Sequence, residues 1–164
     1  MPVLPAGTPV PEIELRRRAG DAFTKADFEG RTTVLVFYPY AFSRVCTDQL
    51  SIYNELLDEF AARDATLYGV SCDATYSQEA FRTQLGVDIE MLSDFEPKGE
   101  VSRAFGVYHP AGMPTRALVI VGPDAIVRWS WEGEHPGVLP GANLIFDGLD
   151  AAAVCLRPPA EPAA

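Results

Sequence analysis

Hydrophobic residues in this chain gather in short unbroken runs that alternate with longer stretches where they recur every third or fourth position. The run Thr33-Val-Leu-Val-Phe-Tyr38 has no polar alternation, as expected of a strand covered on both faces within a parallel sheet. Pro39 closes it, because proline has no N–H for the ladder. Thr66 to Cys72, Asp88 to Leu92, Thr115 to Val121 and Ala125 to Trp131 read as further strands, the last two joined as a hairpin through Gly122-Pro-Asp124. Nearer the start, Glu12 to Arg16 alternates polar and apolar, turns at Ala19-Gly20-Asp21 and returns over Ala22 to Thr24. Lys25 to Glu29 then makes a helical turn ended by Gly30.

Helical spacing fills the gaps. Val45, Gln49, Ile52, Tyr53, Leu56, Leu57 and Phe60 recur at i, i+3, i+4 behind Ser43, a good N-cap. Asp73 to Leu85 is a second helix stopped by Gly86, and Pro97 to Phe105 a third, capped by Ser93-Asp94 and followed by Gly106. Asn143 to Val154 makes a last amphipathic helix. The order predicts an α/β fold with a central mixed sheet flanked by helices and an N-terminal β-hairpin. One domain is expected over residues 1–154, with 155–164, rich in proline and alanine, as a disordered tail.

Composition narrows the function. With 164 residues and 48% hydrophobic content the chain buries a full core. A formal charge of −10 argues against nucleic acid and anionic membranes as partners. No apolar stretch approaches the length of a membrane span, and Met1 to Val10 does not read as a signal peptide, so a cytoplasmic location is expected. Arg16-Arg17-Arg18 is read as a solvated hairpin tip. His109 and His135 stand far apart beside prolines with no cysteine at a ligand spacing, so no metal and no cofactor is expected. The Asp94-Glu96 and Asp147-Asp150 carboxylates are read as helix caps and solvated faces.

Three cysteines in a chain of this size suggest a reactive thiol rather than a disulfide scaffold. Cys46 falls in the first turn of the helix behind Ser43, where unpaired backbone N–H groups and the helix dipole stabilise an anion such as a thiolate. The plainer alternative is a buried structural cysteine.

Pro39, Ser43 and Cys46 together form Pro-x-x-x-(Ser/Thr)-x-x-Cys, and with Arg116 at the head of a downstream strand the chain resembles the peroxiredoxins. The resemblance runs from about Ala6 to Asp150 and is closest to the one-cysteine, AhpE-like branch, through Leu92 to Val107. It implies a thioredoxin-like fold and a thiol-dependent peroxidase reducing hydrogen peroxide and organic hydroperoxides through a cysteine sulfenic acid. By resemblance, Cys46 is the nucleophile; Ser43 and the N–H groups of Val45 and Cys46 bind peroxide oxygens; Arg116 holds thiolate and substrate; and Pro39 shields the sulfur. The alternative for Arg116 is a surface ion pair.

Serine stands at 43 where the family usually has threonine, which keeps the hydroxyl and loses a methyl. Tyr38, Tyr40 and Phe42 are expected to form an apolar collar, and Gln49 to help position the helix. Position 51 is serine, so a resolving cysteine there is missing; Cys72, then Cys155, are the possible internal partners. The expected route is nevertheless attack on Cys46 by a small thiol or a thioredoxin-like donor. A homodimer is expected, with Tyr40, Phe42, Phe95 and Tyr108 as candidates for its patch. Two other classes stay open: a thiol–disulfide oxidoreductase, which needs Cys-x-x-Cys where this chain has Ser43, and a non-enzymatic redox-sensing interaction domain.

Overall fold

The computed structural model describes residues 2–156. A hairpin of β1 (Glu14–Arg16) and β2 (Ala22–Thr24) leads through a 3-10 turn over Lys25–Phe28 into β3 (Thr32–Phe37). Then follow α1 (Arg44–Glu55), α2 (Leu57–Ala62), β4 (Ala65–Ser71), α3 (Thr75–Leu85), β5 (Glu90–Ser93) and α4 (Glu100–Ala104). A two-residue ribbon, β6 (Tyr108–His109) and β7 (Met113–Pro114), precedes β8 (Ala117–Val121), β9 (Val127–Glu132) and α5 (Ala142–Leu156). Seven strands form one mixed sheet in the order β2-β1-β5-β4-β3-β8-β9, the α/β architecture that the hydrophobic pattern predicts.

The central strand β3 is parallel to β4, with Phe37 opposite Val70, and antiparallel to β8, with Phe37 opposite Ala117. Its alternate side chains serve two separate cores. Val34, Val36 and Tyr38 pack with Cys46, Leu50 and Tyr53 of α1 and with Ile145 and Leu149 of α5. Leu35 and Phe37 pack on the opposite face with Phe23, Phe28, Phe105 and Val107. Burial on both faces explains the unbroken apolar run, since each such side chain contributes about 1.5–3 kcal/mol only when it leaves water. Gly69 in β4 makes room for this packing: a Cβ there would lie 2.5 Å from Met91 Sδ and 3.2 Å from the Tyr38 ring.

Several boundaries differ from the sequence-based expectation. The single helix expected from Val45 to Phe60 breaks at Leu56, whose N–H bonds Tyr53 O three residues back, and restarts as α2. The helix expected from Pro97 begins only at Glu100, because residues 95–99 form turns that include a cis Glu96–Pro97 peptide and Gly99 at φ 71°. Asp94 still caps it, but as a buried carboxylate accepting from Val101 N, Ser102 N and Ser102 Oγ at 3.1, 2.8 and 2.7 Å. Burial raises the Asp94 pKa above the ordinary carboxylate range against those hydrogen bonds.

The basic run is not a uniformly solvated tip. Arg17 lies over the Phe23 ring and pairs with Asp21, Asp27 and Glu90, tying the N-terminal hairpin to β5. Arg16 and Arg18 do sit at the surface, against Glu14 and Glu79. Helix α5 runs through Leu156, so the first two residues of the expected tail are helical. Residues 157–164 lie outside the described residues.

Candidate active site

The site forms where the parallel strands β3 and β4 end and the antiparallel β8 begins. Pro39 follows β3 and is buried; the loop continues through Phe42, which holds φ 67°, to Ser43 at the N-cap of α1. Ser43 is extended (φ −69°, ψ 149°) as an N-cap residue should be, and its carbonyl accepts from Thr47 N at 2.9 Å. Its hydroxyl makes no capping hydrogen bond and is thereby available to another acceptor or donor. Cys46 is the third residue of α1, inside the first turn, and is fully buried.

The register of β8 against β3 delivers the cation. Ala117 pairs with Phe37, so Arg116 stands one step beyond the carboxyl end of β3, beside the loop that carries Cys46. Arg116 is only 2% exposed. Its Nη2 donates to Cys46 Sγ at 3.3 Å, its Nη1 to Gln49 Oε1 at 2.6 Å and its Nε to Pro136 O at 2.8 Å. Among the described residues, no carboxylate lies within 4.0 Å of it as an ion-pair partner. Among the described residues Arg116 therefore makes none of the surface ion pairs considered for it, and its Nη2 is turned instead to the sulfur of Cys46.

Gln49 extends the network. Its Nε2 donates to Tyr53 Oη at 3.2 Å, and Tyr53 Oη donates to Pro140 O at 2.8 Å. Burial pushes the Tyr53 hydroxyl up to about 12, so it stays a donor at any working pH. The expectation that Gln49 positions the helix becomes more specific: it holds the arginine. Over these groups lies a pocket of about 240 Å³ whose walls include Pro39, Ser43, Val45, Met113, Arg116 and Pro136.

The expected aromatic collar is only partly there. Tyr40 borders the pocket, but Tyr38 is buried beneath it with its hydroxyl on Met91 Sδ at 3.6 Å, and Phe42 turns away to lie 5.2 Å from the Phe81 ring. Of the residues expected in a dimer patch, Tyr40, Phe42 and Phe95 are exposed and Tyr108 is half-buried under Arg103. His109 and His135 each use Nδ1 to accept a backbone N–H, from Ala111 and Gly137. No group of three residues able to hold a metal ion occurs among the described residues.

Cys72 follows β4 at the same end of the sheet as Cys46 and is buried. It faces a neighbouring pocket of about 340 Å³ that shares Pro39 and Tyr40 with the first. Burial, and after it the charge of Asp94, pushes the Cys72 thiol up to about 11. Both cysteines are free thiols. Cys155 lies near the end of α5, and its side chain is outside the described residues.

Sequence reasoning missed Tyr53, Met113 and the carbonyls of Pro136 and Pro140. Tyr53 reads from its spacing as one more apolar position of α1, and a backbone carbonyl in a proline-rich loop leaves no residue-type signal.

The family model described as AhpC/TSA matches residues 6–130. The chain belongs to the AhpC/TSA family. Within the family it is 31% identical over 151 residues to alkyl hydroperoxide reductase E of Mycobacterium tuberculosis, covering 91% of this chain and 98% of that one. A peroxiredoxin of Thermotoga maritima is 35% identical over 128 residues, 74% of this chain and 60% of that protein. In fold, Enterococcus faecalis AhpC superposes with a TM-score of 0.84 at 23% identity over all of both chains, which establishes the thioredoxin-like peroxiredoxin architecture.

Proposed function

We propose that this AhpC/TSA-family chain is a thiol-dependent peroxidase whose nucleophile is Cys46. The observation that carries the reading is the buried Arg116 guanidinium, which donates to Cys46 Sγ and has no carboxylate partner among the described residues. A buried cation is costly unless an anion balances it, and the thiolate is that anion. A structural cysteine would need no such partner.

The thiolate attacks one oxygen of a hydroperoxide, forming an S–O bond as the O–O bond breaks. The other oxygen leaves as alkoxide or hydroxide and takes a proton to become alcohol or water, while the sulfur, two electrons poorer, becomes sulfenic acid. Arg116 uses three of its five N–H groups on protein atoms, leaving two for peroxide oxygens. Ser43 Oγ and the N–H groups of Val45 and Cys46, free of intrahelical acceptors at the start of α1, supply further donors. Pro39, in the pocket wall, excludes bulk water.

A thiol then attacks the sulfenic sulfur, displacing water and leaving a mixed disulfide that a second thiol clears. The raised pKa of Cys72 favours an outside thiol for this step, a small one or a thioredoxin-like donor, because little Cys72 is thiolate near neutral pH. A homodimer meeting at exposed Tyr40, Phe42 and Phe95, in the cytoplasm, completes the reading; sedimentation as a monomer at tens of micromolar would count against the dimer. Among the described residues, no helix is long and apolar enough to cross a membrane. The test is mass spectrometry after one equivalent of peroxide with a sulfenate-trapping reagent. The adduct is expected on Cys46 and absent in Cys46→Ser; labelling at Cys72 instead would sink the assignment.

A further inference from the structure

The hydrogen-bond chain behind Arg116 has only one possible direction. A guanidinium can only donate, so Gln49 must turn its Oε1 to Arg116 Nη1 and its Nε2 to Tyr53 Oη. The tyrosine oxygen therefore accepts from Gln49, and its proton goes to Pro140 O. Every link is buried, so none can be replaced by water without rearrangement. The same β9–α5 connection supplies Pro136 O to Arg116 Nε, so one loop holds both the arginine and the far end of its chain.

We propose that Tyr53 is a positioning residue for peroxide reduction: its hydroxyl, anchored on Pro140 O, fixes the Gln49 amide and through it the rotation of the Arg116 guanidinium about Cys46. Without the hydroxyl, the Gln49 amide loses the partner that sets its orientation. It can then flip, presenting NH₂ to a guanidinium that cannot accept. Arg116 Nη1 loses its bond, and the ring of donors around the sulfur loosens although the charge stays in place. The proposal rests on the peroxidase reading above and adds a group that touches neither peroxide nor sulfur.

The experiment is Tyr53→Phe, which keeps the ring and removes one oxygen. Single-turnover oxidation by peroxide is expected to slow by about five- to twentyfold, the range between a lost neutral and a lost charged hydrogen bond. Thiolate formation at Cys46, followed by ultraviolet absorbance against pH, is expected to move to higher pH, which mere loosening of the fold would not produce selectively. In a Gln49→Ala background the same substitution should have little further effect, since both act through one chain.

An unchanged rate and titration in Tyr53→Phe, or a full additional loss in the Gln49→Ala background, would overturn the proposal. If Tyr53→Phe does not fold, the Arg116 side-chain N–H signals of the native protein decide by nitrogen-15 NMR: slow exchange supports a held guanidinium, fast exchange and rotation refute it. A native protein that reacts with peroxide only slowly, and without Cys46, would instead end the peroxidase reading, so the two failures are distinguishable.

Discussion

Arg116→Met separates catalysis from stability in this site. The substitution keeps a long side chain in a position that is 2% exposed but removes the charge and all three hydrogen bonds. For the reaction, the loss of a preorganised charged donor at the developing negative charge costs about 10²–10³ in rate, or ~2.7–4 kcal/mol of barrier. For stability, three lost bonds at a net of about 1 kcal/mol each amount to ~3 kcal/mol. Against that, a buried guanidinium without a carboxylate costs several kcal/mol to desolvate, and methionine does not pay it. The two sums nearly cancel, so the variant should unfold within about 2 kcal/mol of the native protein while its reaction with peroxide falls at least about a hundredfold.

The cross with Cys46→Ser sharpens this. Serine at 46 deprives Arg116 of its anion, which should destabilise by up to about 3 kcal/mol, the low end of breaking a buried pair, and adding Arg116→Met should recover most of the loss. Stopped-flow tryptophan fluorescence gives the rate and urea unfolding the stability. A rate change below threefold would reduce Arg116 to a structural residue. A stability loss above about 4 kcal/mol would show that the guanidinium is a net support of the fold and that the desolvation argument is wrong.

Two further outcomes follow from buried groups. The folded-state pKa of Cys72 is raised from 9.0 to about 11, so between those values the unfolded chain has released a proton that the folded one keeps. Its contribution is fully present below pH 9.0 and lost as pH rises through about 11, and Cys72→Ala should flatten the fall in urea midpoint across that window; parallel curves would refute the assignment. Asp94→Asn leaves one carbonyl oxygen for three donors and should cost about 1–3 kcal/mol in denaturant unfolding, whereas a cost below about 0.5 would mean that α4 is held by its packing alone.

Much of the site was legible in the chain because it is local. An apolar run too long to be half-exposed, a proline that ends it and a cysteine inside the next helical turn depend on backbone chemistry within residues 33–46, and the fold keeps them in that order. The alternation that splits Val34, Val36 and Tyr38 from Leu35 and Phe37 is likewise a property of any strand. What the tertiary structure alone decided lies across long separations. Arg116 reaches Cys46 over 70 positions only because β8 pairs antiparallel with β3, and nothing in its own neighbourhood distinguishes that from a surface ion pair. Tyr53 reads as core until the carbonyl of Pro140, 87 positions away, accepts a hydrogen bond from its hydroxyl. Arg17 reads as solvated until β5 brings Glu90 beside it. In each case a polar group's role depends on which partner arrives when the sheet closes, and pairing at that distance is a matter of register, which no short pattern of residue types encodes.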